Sequence, residues 1–356
     1  MSGGILVLGE LHEDLYYEND FFELLVERIA DRVFNFLYYN PDDFSRKRLK
    51  NIAVKALSNL PKKVNSSCYM KRGGNGNNSA ECLVALGVPT KLVSVIGRGS
   101  EWMIKELKDL GIDTRDIYHV NELTPISTII KSNLTTKIFV APELKERMNF
   151  KSIPVSIEDF KNYKIIFTTP MAEKFKDILE KSQQFELITA FNIELQKLQT
   201  IDQLNQLVEQ RHDILFLNLK DAEAIINKQC EFTELDDIFK RWARIRIYTN
   251  GKEGSLIASD NTSVLEIPAL EVKVIDRTGA GDCYAAGFLA KFHELIKNKQ
   301  QLNSLLMKEN SNELLEILKE CAFFATHVSA YKISRQKPPT KKEINEFIEA
   351  RGGDKI

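Results

Sequence analysis

Asp282 directly follows the turn Gly279-Ala280-Gly281 and opens a segment in which Tyr284, Ala285, Phe288, Leu289 and Phe292 recur at helical spacing. The glycines allow backbone angles that a larger residue resists. Successive N–H groups at a helix start form a positive cup that suits phosphate oxygens. A carboxylate at the mouth of that cup is no anion ligand. It fits a base that takes the proton of a hydroxyl while the cup holds the phosphoryl group under attack. The competing reading is purely structural. Thr278 and Asp282 are good capping residues, and Gly-Ala-Gly is an ordinary tight turn. Val272, Val274 and Ile275 predict the end of a buried strand leading into the turn.

Three other stretches carry polar groups at the ends of expected strands. Ile5 to Gly9 reads as a buried first strand, and Glu10 to Asp14 follow it. Ligands of open α/β sheets bind past the carboxyl ends of strands, which places Asp14 to accept hydrogen bonds from sugar hydroxyls. A solvated loop is the plainer reading of Glu10, Glu13 and Asp14. Lys71 to Ala80 combines Gly73, Gly74 and Gly76 with Asn75, Asn77 and Asn78 ahead of an apolar helix. Glycine permits close approach of the backbone to a ligand, and asparagine offers a donor and an acceptor that suit vicinal diols. Thr249 to Gly254 follows the strand at Ile245–Tyr248; it lets a nucleotide lie against main chain, or turns a hairpin toward Ser255–Ala258.

These residues resemble the ribokinase-like (PfkB) carbohydrate kinases. Asp276 to Asp282 with Gly287 is similar to the family's C-terminal signature, and Gly73, Gly74 and Asn78 to its first. Thr249, Gly251 and Gly254 match its Thr-x-Gly-x-x-Gly motif. Asn218 and Asp221 stand where the family has Asn-x-x-Glu near the nucleotide phosphates and magnesium. The resemblance implies ATP-dependent phosphorylation of a sugar or nucleoside hydroxyl. Asp282 would be the base, and Gly279, Ala280 and Gly281 the anion hole. Asp14, Gly73, Gly74 and Asn78 would contact the acceptor. Asn218, Thr249, Gly251, Gly254 and Thr278 would serve the nucleotide, and Asp221 would act on Mg²⁺ through a water. Asp276 and Thr278 are candidates for holding K⁺. Capping of a helix is the competing role for Asn218 and Asp221. Phe191-Asn192-Ile193-Glu194 departs from the Asp-x-Asn pattern of many sugar kinases, so the acceptor is left open.

The elements that must position these groups read as α/β. Strands are predicted at Lys91–Gly97, Lys164–Thr168, Leu187–Phe191, Ile214–Leu217 and Ile245–Tyr248, with helices between them. The expected fold is a three-layer ribokinase-like one: a central, mostly parallel sheet with helices on both faces and a small β lid. Residues 1–340 would form the kinase domain, with lid segments near 61–72 and 120–142 and a C-terminal helix end and tail at 341–356. Residues 19–60 would be an unusual helical insertion. Phe22, Leu25, Ile29, Val33 and Phe36 mark its first amphipathic helix, Pro41-Asp42-Asp43 the break, and Leu49, Ile52, Ala53 and Ala56 the second. A modified lid, an oligomer contact such as a homodimer's, and an inert surface insertion are its three readings.

The chain has 356 residues and a net charge of -1, so no global field draws it to nucleic acid or an anionic membrane. No run reaches membrane-span length. Five scattered cysteines without a C-x-x-C pair suit reduced thiols and a cytoplasmic location. A non-catalytic sensor or scaffold of the same fold is the alternative from another class, against which Asp282 and both glycine motifs argue.

Overall fold

The computed structural model describes residues 3–39, 45–140, 157–195, 200–228 and 230–352. The chain divides into two compact units: Met1–Leu11, Gly74–Leu123 and Glu146–Ile356 form one, and His12–Gly73 with Thr124–Lys145 the other.

The larger unit is built on a nine-stranded sheet in the order β13-β12-β11-β10-β9-β8-β1-β4-β5. Its strands are β1 (Gly4–Gly9), β4 (Thr90–Arg98), β5 (Ile117–Leu123), β8 (Tyr163–Thr169), β9 (Ile188–Asn192), β10 (His212–Asn218), β11 (Ala243–Thr249), β12 (Ser255–Ser259) and β13 (Leu265–Ile267). From β5 to β11 every neighbouring pair is parallel; β12 and β13 add an antiparallel edge. Side chains alternate across a strand, and here both faces are covered. Ile5, Val7, Ile165, Phe167, Ile214 and Phe216 enter one core with the helices Asn75–Ala85 (α3), Ala280–Leu295 and Ser311–Arg335. Leu6, Leu8, Ile166, Leu215 and Leu217 enter the other, with the helices Glu173–Ser182, Ile201–Leu207, Leu219–Ile226 and Phe232–Phe239. The three-layer, mostly parallel expectation therefore stands.

Residues 272–275 do not end a strand. They form an irregular segment, with Val274 and Ile275 both 48% exposed. Their backbone is tied elsewhere: the N–H groups of Ile275 and Asp276 donate to the Ile333 carbonyl at 3.0 and 3.2 Å. The turn is thus delivered to its helix by the end of Ser311–Arg335 rather than by the sheet.

The smaller unit holds a four-stranded sheet, β3-β2-β6-β7, in which β2 (His12–Glu18) pairs antiparallel to β3 (Ser67–Gly73) and parallel to β6 (Ile126–Lys131). β7 (Thr136–Val140) closes the predicted hairpin with β6. The expected lid segments supply β3, β6 and β7; residues 120–123 instead belong to β5, and 141–142 lie outside the described residues. The strand β2 was not expected. Its polar sequence His-Glu-Asp reads as a loop, yet Glu13 and Asp14 are buried in pairing, and Glu10 before them is buried as well. The insertion is a helical hairpin of α1 (Phe21–Tyr39) and α2 (Arg46–Ser58). Its expected break at Pro41–Asp43 lies outside the described residues. Residues 341–349 are a separate helix with a Thr340–Glu343 capping box, not the end of a longer one. Residues 353–356 lie outside the described residues. Among the described residues no helix is long and apolar enough to cross a membrane.

Candidate active site

Gly279 adopts φ 71°, the left-handed region, and is the cap from which the helix Ala280–Leu295 starts. Asp276 braces the approach by accepting the Thr278 N–H on Oδ1 at 2.9 Å. Lys332 donates to the Thr278 carbonyl, and Ser329 Oγ to the Ala280 carbonyl at 3.0 Å. The long helix Ser311–Arg335 therefore fixes both sides of the turn.

The first-turn N–H groups are not all open. Ala280 donates to the Arg277 carbonyl at 3.1 Å, so its amide closes the turn and is already engaged, contrary to its expected share in the cup. Among the described residues the N–H groups of Gly279, Gly281 and Asp282 meet no acceptor. Space is open beside Gly281, where a methyl group would meet no atom within 4 Å.

Asp282 is 8% exposed, and its carboxyl is pushed up to about 7. Burial is the main cause, because taking the charge out of water disfavours it. The Asn78 amide opposes the rise, the negative charge of Glu194 adds to it, and Lys332 and Asn75 hold it down. Asn78 donates from Nδ2 to Asp282 Oδ2 at 2.8 Å. Its expected role is acceptor contact, and one donor of its side chain goes to the carboxylate.

The start of α3 brings the asparagines here. Gly9 at the end of β1 and Gly76 in α3 lie so close that a methyl on Gly76 would stand 2.6 Å from the Gly9 Cα. The Asn77 N–H donates to the Glu10 carbonyl at 3.1 Å, pinning the helix start to the strand end. Most of the run from Lys71 is therefore strand and helix rather than loop, with only Gly74 between β3 and α3. Asn75 donates to Glu194 Oε1 at 3.1 Å and helps hold the Asp282 carboxyl down. Asn75 and Glu194 are site residues that sequence reasoning missed. Asn75 lay in a run quoted for its neighbours, and Glu194 was noted only as a departure.

The remaining predicted residues fall in three places. Asn218 caps the helix Leu219–Ile226, its Oδ1 accepting the Lys220 N–H at 3.0 Å, which is the capping alternative. Asp221, in the first turn, is held up by burial and down by the Leu195 N–H. Thr249 to Gly254 do form the β11–β12 hairpin, with Thr249 opposite Ser255. Gly254 is required by packing, since a methyl would stand 2.0 Å from the Ile267 carbonyl oxygen; Gly251 faces open space. Asp14 and Gly73 belong to the smaller unit, on neighbouring strands. Asp14 lies on a strand rather than in the expected loop, and its carboxylate occupies the place a Gly73 side chain would fill, 2.4 Å from it. His12 Nε2 stands 3.1 Å from Asp14 Oδ1.

Among the described residues no group of three or more His, Cys, Asp or Glu could hold a metal. One half-buried carboxylate, Asp221, is a donor set suited to Mg²⁺ carried in by phosphates, because that ion keeps most of its waters.

A buried carboxyl poised near neutrality thus lies beside open helix-start amides. The chain belongs to the pfkB family of carbohydrate kinases, whose model matches residues 50–345. A nucleoside kinase from Methanocaldococcus jannaschii is 27% identical over 229 residues, covering 62% of this chain and 72% of the relative. Among solved structures, fructokinase with bound ATP from Xylella fastidiosa matches at TM-score 0.71 and 14% identity, over 98% of each chain. Arabidopsis thaliana ribokinase complexed with ribose and ATP matches at TM-score 0.67 and 17% identity, over 98% of this chain and 99% of that one.

Proposed function

We propose that this kinase moves the γ-phosphoryl group of ATP to a hydroxyl of a small sugar or nucleoside, with Asp282 as the general base. The observation that carries the reading is the Asp282 carboxyl itself: buried, near pKa 7, and in the same helical turn as the open N–H groups of Gly279 and Gly281. The acceptor oxygen attacks the γ-phosphorus as its proton passes to Asp282. The bond from that phosphorus to the β–γ bridging oxygen breaks, and ADP leaves with the electron pair. The open amides stabilise charge on the phosphoryl oxygens. Mg²⁺ bound to the nucleotide would neutralise phosphate charge, with Asp221 reaching it through a water.

Asn78 holds the base in place, and Glu194 keeps its affinity for the proton high. Asp14, Gly73 and Gly74 are assigned to acceptor recognition, and Asn218, Thr249, Gly251, Gly254 and Thr278 to the nucleotide, on the resemblance of their motifs. A monovalent cation at Asp276 is the finer part of the reading; its test is turnover in K⁺ against tetramethylammonium.

The deciding experiment is ADP release against a panel of sugars and nucleosides, with Asp282→Asn as control. Loss of the base lowers turnover roughly 10²–10⁴-fold. A variant that keeps near-full turnover overturns the assignment.

A further inference from the structure

The helical hairpin of the smaller unit takes no part in the chemistry above, and the charge of its second helix is unlike that of the rest of the chain. From Arg46 to Lys63 there are seven basic residues and no acidic one, in a protein with 49 basic and 50 acidic residues. The net charge of -1 averages this away. Lys47, Lys50, Val54 and Leu57 recur along α2 at i, i+3, i+7 and i+10, which is one stripe of a helix, and all four are exposed. Val54 is 51% and Leu57 48% exposed. The opposite stripe, Leu49, Ile52, Ala53 and Ala56, is drawn in, with Ala56 fully buried, and α2 packs against α1. The last turns of α1 expose Phe34, Tyr38 and Tyr39 at 69%, 70% and 76%. Their rings associate with each other, at 6.3 Å for Phe34–Tyr38 and 5.1 Å for Tyr38–Tyr39.

Lysines and bare aliphatic side chains on one helical stripe select among partners. A nucleic acid uses the cations and leaves Val54 and Leu57 in water. An anionic lipid surface takes both: ammonium groups sit among the headgroups while short apolar side chains and aromatic rings enter the boundary beneath. We propose that the α1–α2 hairpin docks this protein on an anionic bilayer surface through the Lys47–Lys50–Val54–Leu57 stripe, aided by Phe34 and Tyr38. The docking stands on this surface alone and is independent of the acceptor the kinase uses.

The test is co-sedimentation of the full-length protein with phosphatidylcholine vesicles and with vesicles also containing phosphatidylglycerol. Partition is expected only to the anionic vesicles, falling as salt rises. Lys47→Gln with Lys50→Gln weakens it roughly thirtyfold, at about 1 kcal/mol for each basic residue near such a surface. Val54→Ser with Leu57→Ser weakens it at unchanged charge. Both variants keep their lipid-free turnover, which shows that they fold. Absence of partition to anionic vesicles overturns the proposal. So does a serine variant that binds like the parent while duplex DNA competes equally, which marks a surface for polyanions. A mass that doubles with concentration and blocks vesicle binding also overturns it, assigning the stripe to a second copy of the chain.

Discussion

Asn78 Nδ2 and Asp282 Oδ2 meet at 2.8 Å, joining residues 204 positions apart in the chain. Removing the amide removes a group that holds the Asp282 carboxyl down. A base must be deprotonated, so kcat/KM should rise with pH through about 7 and level off above it. In Asn78→Ala the midpoint of that rise should move to higher pH.

Glu194 works in the other direction. Its negative charge raises the same carboxyl, and it accepts a hydrogen bond from Asn75, which helps hold that carboxyl down. Glu194→Gln should therefore move the midpoint of the pH–rate profile to lower pH. Midpoints that do not move in opposite senses for the two variants would separate Asn78 and Glu194 from the base.

Burial of Asp282 has a cost in stability with a definite sign. Its pKa is raised from 3.8 in the unfolded chain to about 7, so the folded state holds the proton more tightly. The stability this group contributes is fully present below pH 4 and is lost as pH rises through 7. Asp282→Asn should be more stable than the parent at pH 8. The gain is roughly 4 kcal/mol at most, at 1.36 kcal/mol for each pH unit between the two pKa values, and should vanish near pH 4. Urea unfolding at the two pH values measures it.

Close packing makes two glycines testable. A methyl at Gly287 would stand 3.0 Å from Val328 Cβ and 3.1 Å from Ala325 Cα. Gly287→Ala should destabilise by about 1–3 kcal/mol in thermal or urea unfolding, because two packed helices must part. Gly76→Ala drives a methyl into the backbone of Gly9 at the foot of α3. It should lower kcat more than it raises KM for ATP, since the helix start carries Asn75 and Asn78 toward Asp282.

What the amino-acid sequence disclosed follows from how local each signal is. The strands of the large sheet were legible because both faces are buried and the runs are continuously apolar, as at Ile214–Leu217. The amphipathic hairpin was legible from a different signal, apolar residues recurring every three or four positions among charged ones. Val274 and Ile275 misled because they are apolar and precede a helix, while what decides their conformation is the Ile333 carbonyl, far along the chain. Asp14 misled in the opposite sense, since a polar run forms a strand when its neighbours supply the pairing. The turn around Asp282 was visible from spacing alone. Glu194 and Asn75 were not, because their importance comes from a hydrogen bond between residues 119 positions apart.

Asp282 and the open amides share one turn, and that turn is fastened through Thr278, Ala280 and Ile275 to the far end of the helix Ser311–Arg335. The carboxylate proposed as proton acceptor and the amides proposed as phosphate cradle therefore travel as a single piece. On that proposal their mutual aim is fixed when the polypeptide folds, before any ligand arrives, and a bound nucleotide would only be delivered to an arrangement already set.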